Sequence, residues 1–234
     1  MLRPALSIVL AALLPLTSAE AAAPEIERRV DLSSFQKLRV EGPFLVTLAT
    51  GPSPRGMLSG ETEALRGVET RLSDGTLVVR RIAGDGASSR GDGPVTLTLT
   101  APPVSAITVI GGAQVTAEGM RGAAMTLSIT GAGEIRVDRA EGDQLNATLL
   151  GPAKLTIGGG RVAKARLLAN GPVALAADGL EAGDLFVTLE GPGEIGARAR
   201  YTATVTNGGL GRVTVEGTAK CRIMGGGPVR CGAP

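Results

Sequence analysis

The 234-residue chain has no histidine, no tryptophan, one tyrosine, three phenylalanines and two cysteines. Without histidine it lacks the side chain most often used near neutral pH as a general base and metal ligand. Its only rings are Phe35, Phe44, Phe186 and Tyr201, too few for an aromatic ladder on which bases or sugar faces could stack. The net charge is +2, from 24 basic and 22 acidic residues, so no excess of positive field is available for a phosphate backbone. Nucleic acid is not an expected partner. Two thiols without histidine are a poor metal-ligand set, and neither a metal nor a cofactor is expected.

Long apolar runs are also scarce. The single one follows Arg3, extends from Ala5 to Leu16, and passes into the small-residue stretch Thr17 to Ala23. It is shorter than the ~20 residues a membrane-spanning helix needs. Ala19, Glu20 and Ala21 have the form a signal peptidase reads, so residues 1–21 read as a secretory signal peptide, cut after Ala21 or one residue later. No second apolar span follows, and the mature chain is expected to be soluble, without a membrane span, in a periplasmic or extracellular compartment. Such compartments are oxidising. Cys221 and Cys231 are therefore expected to form a disulfide that clamps the C-terminal end. The C-x-x-C spacing of a redox-active pair is absent.

What the sequence has in abundance is glycine, 35 residues of it, and the glycines are periodic. A pattern of Gly, any, small, any, then Val, Ile or Leu begins at Gly111, Gly131, Gly151, Gly171, Gly191, Gly209 and Gly225, with intervals of 20, 20, 20, 20, 18 and 16. A period of this size marks a solenoid. Counted from each leading Gly, offset 4 holds Val115, Ile135, Leu155, Leu175, Ile195, Val213 and Val229, and offsets 6, 14 and 16 are also apolar. Odd offsets are mostly polar. Alternation with period two, broken by Gly-rich turns, is the strand signature. Stacked coils place the strands in parallel register ~4.8 Å apart with the even columns inside, giving an all-β, parallel β-helix. The leading glycines form the corner, and Pro152, Pro172 and Pro192 fit one residue later, where fixed φ suits a turn.

Residues 106–234 carry the regular coils. Residues 24–105 lack the strict period but keep strand-like runs at Gln36 to Val40, Pro43 to Thr50, Val68 to Ser73, Thr76 to Ile82 and Pro94 to Thr100, and read as an irregular β start of the same solenoid. Gly42 to Val46 echoes the later motif. Glu61 to Arg66 suits one or two helical turns, and Gly84 to Gly93 an exposed loop. The irregular start and the cysteine clamp then serve as the two caps a solenoid needs.

The run Phe35 to Val46 (FQKLRVEGPFLV), then Asp74 to Val79 (DGTLVV), then Leu99 to Pro102 leading into Ile107 to Val115 (ITVIGGAQV), resembles the head GIN domain family. Its members are exported bacterial proteins described as auto-transporter adhesins. The resemblance extends from about Phe35 to Cys231. It implies a β-helix-like stack and an adhesin label, in a Gram-negative setting, and supplies no catalytic or ligand residues.

Three groups of residues are candidates for function. Glu118 and Asp138 share offset 7 on neighbouring coils, which places them ~5 Å apart, close to the separation in a retaining glycosidase. The column breaks at Gly158. At offset 10 the series Arg121, Glu141, Arg161, Glu181 and Tyr201 predicts a charge ladder that sets register rather than binds. At offsets 15 and 17 the pairs Thr126/Ser128, Asn146/Thr148, Arg166/Leu168 and Phe186/Thr188 are interrupted by Arg166 and Leu168, which excludes an ice-binding Thr row. The turns lack the regular Asp of calcium-binding nonapeptides. Leu168 and Phe186 remain as a small outward apolar patch. The expectation is a monomeric or weakly oligomeric, non-enzymatic binding module for an envelope protein or glycan. The alternative is a polysaccharide-active enzyme using Glu118 and Asp138.

Overall fold

The 20-residue period becomes the pitch of a stack. The computed structural model describes residues 25–82 and 93–232, so the leader at 1–21 and nearly all of the loop read at Gly84 to Gly93 lie outside the described residues. The regular coils run through β8 (Ala106–Ile110), β9 (Gln114–Thr130), β10 (Glu134–Leu150), β11 (Lys154–Ile157), β12 (Gly160–Asn170), β13 (Ala174–Glu190), β14 (Glu194–Asn207), β15 (Arg212–Gly217), β16 (Lys220–Met224) and β17 (Val229–Cys231). Each pairs in parallel with the strand one coil away. The fold is a parallel β-helix.

The aliphatic column at offset 4 is one continuous ladder. Val115, Ile135, Leu155, Leu175, Ile195, Val213 and Val229 stand opposite one another in that order. All but the last are buried. Each such side chain contributes ~1.5–3 kcal/mol by leaving water, which is why register is held along the whole stack. The corner beside this column is built as expected: Gly111, Gly131, Gly151, Gly171 and Gly191 have φ between +93° and +114°, where an L side chain is strained. Gly209 departs from that geometry. Glycine is still required there, since a Cβ would lie 2.3 Å from the Gly191 carbonyl oxygen.

Each coil has a further inward face, the second in chain order, that the even-offset rule misses. After offset 6 the inward set changes parity, so that Met120, Ala140 and Leu180 at offset 9, and Val162 and Ala182 at offset 11, are buried. The parity returns by offset 14, where Met125, Leu145, Ala165 and Leu185 are again inside. Two further corners, near offsets 7–8 and 12–13, make these switches.

One expected alignment is corrected. Between Ala177 and Glu181 of β13 the pairing with β14 shifts, so Arg198 rather than Tyr201 faces Glu181. The coil beginning at Gly191 is two residues shorter than its predecessors, and the shift absorbs the deletion on the second face. The aliphatic ladders of the other faces are left in register.

At the N-terminal end lie β1 (Glu25–Val30), β2 (Lys37–Glu41), β3 (Phe44–Thr50), β4 (Arg55–Glu61), α1 (Thr62–Arg66), β5 (Val68–Ser73), β6 (Thr76–Arg81) and β7 (Val95–Ala101). β2 sits between β6 and β8, and β3 between β7 and β9, all parallel. β4 pairs antiparallel with β7 and with β1, and β5 antiparallel with β6. The helical turn expected at Glu61 to Arg66 is α1, which buries Ala64 and Leu65. β1 and β4 have no period-two signal, since β1 is exposed along nearly its whole length and β4 is rich in glycine. Phe35 and Phe44 are fully buried here, so this end of the stack is wide enough for rings that the regular coils exclude.

At the other end β16 bonds only to β14 and β17 only to β15 among the described residues. Cys221 on β16 and Cys231 on β17 are joined in a disulfide, with Cα atoms 6.5 Å apart. Fully buried Asn207 replaces an aliphatic residue in the column that holds Ile129, Leu149, Ala169 and Leu189.

Candidate functional surface

Outward side chains project in rows one coil apart, so any site on this molecule is a set of residues that are distant in sequence and adjacent in the stack. At the corner after offset 6, Glu118 accepts a hydrogen bond from the Thr50 backbone N–H at 2.8 Å. Asp138 is 3.4 Å from Arg136 of its own strand. The two carboxylates, on neighbouring coils, thus have separate partners. Asp178, the next acid of the column, lies beside Gly196 in a shallow cleft that also takes in Lys154 and Glu194. Among the described residues no cluster of three or more His, Cys, Asp or Glu is placed to hold a metal ion.

The second face carries paired charges. Arg121 reaches Glu141 at 2.6 Å, Arg139 reaches the same carboxylate at 3.2 Å, and Arg161 reaches Glu181 at 3.0 Å. No ion pair joins Glu141 to Arg161 among the described residues, so the expected ladder is two separate clusters. The Arg121 hydrogen bond, and after it that of Arg139, holds the Glu141 carboxyl below the usual glutamate range. Further along, Arg198 bonds Glu216 at 2.7 Å, which raises the guanidinium above its ordinary value. Tyr201, 58% exposed and stacked against Arg200 at 5.1 Å, borders an open groove of about 540 Å³ with Glu141, Arg161 and Glu181. Counting along the chain puts this ring in the charge column; the register shift puts it at the groove.

The third face, a parallel sheet formed by β8, the C-terminal halves of β9, β10, β12, β13 and β14, and β16, carries the rows of Leu168 and Phe186. Phe186 stands opposite Arg166 on one side and Thr204 on the other, while Leu168 stands opposite Thr148 and Thr188. The two apolar residues are therefore diagonal neighbours. Leu168 is 39% exposed and Phe186 half-buried. The Lys164 ammonium and the Arg166 guanidinium each sit 5.8 Å from the Phe186 ring centroid, within cation–π range. Coil spacing brings Arg166 to Phe186, and along the chain Arg166 marks only a break in a Thr row.

Solved structures share this architecture. An adhesin described as putative from Bacteroides fragilis superposes with a TM-score of 0.81 at 16% identity, over 91% of this chain and 98% of that one. Another putative adhesin, from Parabacteroides merdae, gives 0.67 at 12% identity over 88% and 95%. A protein from Parabacteroides distasonis described as a putative lipid binding protein gives 0.61 at 14% identity over 88% and 96%. At these identities the likeness concerns the fold. No curated protein matches the chain. The family model described as "putative auto-transporter adhesin, head GIN domain" matches residues 34–219, most of the β-helix from the strand region around Phe35 to the turn before β16, and the chain belongs to that family.

Proposed function

We propose that this protein is an exported, non-enzymatic binding module of the cell envelope, adhesin-like in role, which holds an extended partner along the outward rows of its β-helix. The observation that supports this most directly is the third face: a parallel sheet surface whose side chains repeat at coil spacing from β8 to β16. Surfaces of this kind suit extended or repetitive partners. The family description supports an adhesin-like role. Export is supported by the charged-then-apolar leader and by the Cys221–Cys231 disulfide, a bond that persists in oxidising compartments. Chains of this fold are named for adhesion and for lipid binding, so the partner is chosen by surface chemistry and not by the fold. An envelope protein or a glycan is the partner proposed.

Crosslinking the tagged chain in its own cell-envelope fraction, with proteins and glycans read by mass spectrometry, tests this. One partner enriched over a variant with Leu168→Ser and Phe186→Ser supports the reading and places the contact on the third face. Glycan recovered shortened, with the shortening lost in Asp138→Asn, would replace it with a polysaccharide-active enzyme using Glu118 and Asp138.

A further inference from the structure

One face of this molecule gathers four cations that stand outside its ion pairs. On the first and second faces and their shared corner, charges in adjacent coils neutralise each other, as in Lys154 with Glu134, Arg121 with Glu141, Arg161 with Glu181 and Arg198 with Glu216. On the third face, Lys164, Arg166, Lys220 and Arg222 all project outward, and among the described residues none of the four enters an ion pair. The pairing register puts them in two rows. Lys164, Asp184, Thr202 and Lys220 follow one another in the first, and Arg166, Phe186, Thr204 and Arg222 in the second. The one carboxylate among them, Asp184, accepts the Thr202 hydroxyl hydrogen bond.

Neighbouring cations in one strand are thus ~7 Å apart, and the two cation pairs lie three coils, ~14 Å, apart along the stack. Phe186 holds two of the four in place, since Lys164 and Arg166 flank its ring, and side chains already fixed lose less freedom on binding. The hydroxyls of Thr204, Thr188 and Thr206 lie between and beside the cations in the same register. A sheet surface with spaced cations and interleaved hydroxyls fits a linear polymer that presents both anions and hydroxyls.

We propose that this four-cation patch binds an anionic polysaccharide, one bearing carboxylate or sulfate groups along an unbranched chain. Nucleic acid is the poorer fit, because the one ring of the patch is flanked by cations and is not free to stack on bases. An anionic bilayer is also poorer, because the patch is a sheet face and not an amphipathic element able to enter the interface. The inference rests on the binding-module reading and names its ligand class.

The test measures retention of the purified chain on polygalacturonate and, as the neutral comparison, on pullulan. Polygalacturonate is expected to bind, with affinity falling as salt rises, and pullulan is not. Replacing all four cations by Gln should weaken binding about tenfold or more, and Arg166→Gln with Arg222→Gln by an intermediate factor. Arg121→Gln with Arg161→Gln, on the second face, should leave it unchanged. Circular dichroism and melting establish that each variant is folded, and the salt titration of the unaltered chain reads the electrostatic contribution without any variant. The proposal is overturned by equal retention on pullulan, by salt-independent binding, by a folded four-Gln variant that binds as before, or by duplex DNA or phosphatidylglycerol vesicles displacing polygalacturonate from the patch. If polygalacturonate is not retained while the envelope crosslinking still enriches one partner, this inference falls and the binding-module reading stands; if both are empty, both fall.

Discussion

The side-chain amide of Asn207 donates to the backbone oxygen of Pro228, 3.1 Å away and 21 residues later in the chain. The same nitrogen donates to the Gly211 oxygen at 2.8 Å, and the amide oxygen accepts the Gly209 N–H at 3.2 Å. One buried side chain therefore ties its own corner, Gly209 to Gly211, to the next one at Pro228, where the coils shorten from 20 residues to 18 and then 16.

Replacing Asn207 with Leu restores the aliphatic column but strands the Gly209 N–H and the Gly211 oxygen, while the Pro228 oxygen keeps the Val213 N–H at 3.1 Å. Leaving buried polar groups unsatisfied costs about 1–3 kcal/mol each, so the variant should lose at least about 2 kcal/mol in denaturant unfolding. A variant as stable as the parent would mean that aliphatic packing at this end outweighs the polar tie.

Gly160 has φ +120°, and a Cβ there would lie 1.9 Å from the Ala140 carbonyl oxygen one coil below. Backbone cannot yield that far without breaking the parallel pairing. Gly160→Ala should cost about 3 kcal/mol or more. Gly112→Ala, where an added Cβ meets nothing within 4 Å, should stay within about 0.5 kcal/mol. Comparing the two melting curves separates close coil approach from the general cost of altering a glycine.

Cys221 and Cys231 close a loop of ten residues between two strands that, among the described residues, each pair on one side only. Replacing both with Ser should remove about 2–3 kcal/mol by the loop-entropy relation. Hydrogen exchange should speed first in β16 and β17, because the rest of the stack is held by its own ladders. Uniform acceleration throughout the protein would instead make the C-terminal coil the keystone of the fold.

Glu141 is held below its ordinary pKa of 4.5 by hydrogen bonds from Arg121 first and Arg139 second. A folded value below the unfolded one means that the carboxylate stabilises the fold above about pH 4.5, and that this contribution is lost as pH falls through the lowered folded value. In an NMR titration Arg121→Gln should move the Glu141 midpoint up towards 4.5. No movement would assign the depression to Arg139 alone.

Much of the fold is legible from one column. Val115 to Val229 recur at constant offset, and each has a partner of its own kind one coil away, so a single period specifies both strand and register. The second face is not legible in that way. It offers only offsets 9 and 11, and Ala140 and Gly160 among its inward residues are too small to mark an apolar position. The disulfide and the corner glycines could be read directly, since compartment and steric demand name the residue type. Tyr201 could not be placed, because its position depends on where a two-residue deletion is absorbed.

The same deletion separates what the sequence determined from what only the tertiary structure decided. Composition and period by themselves set a parallel β-helix with an aliphatic interior, glycine corners and a cysteine-closed end. Counted along the chain, Lys164 stands at offset 13 of its coil and Lys220 at offset 11, so no column contains both. The stack nevertheless aligns them, through Asp184 and Thr202. Dozens of buried aliphatic contacts hold the inward ladders in register, so the missing residues are taken up at an outer corner, and the outward rows are set by packing beneath them. The cationic patch is a product of that choice, made by the core and invisible in the spacing of the charges themselves.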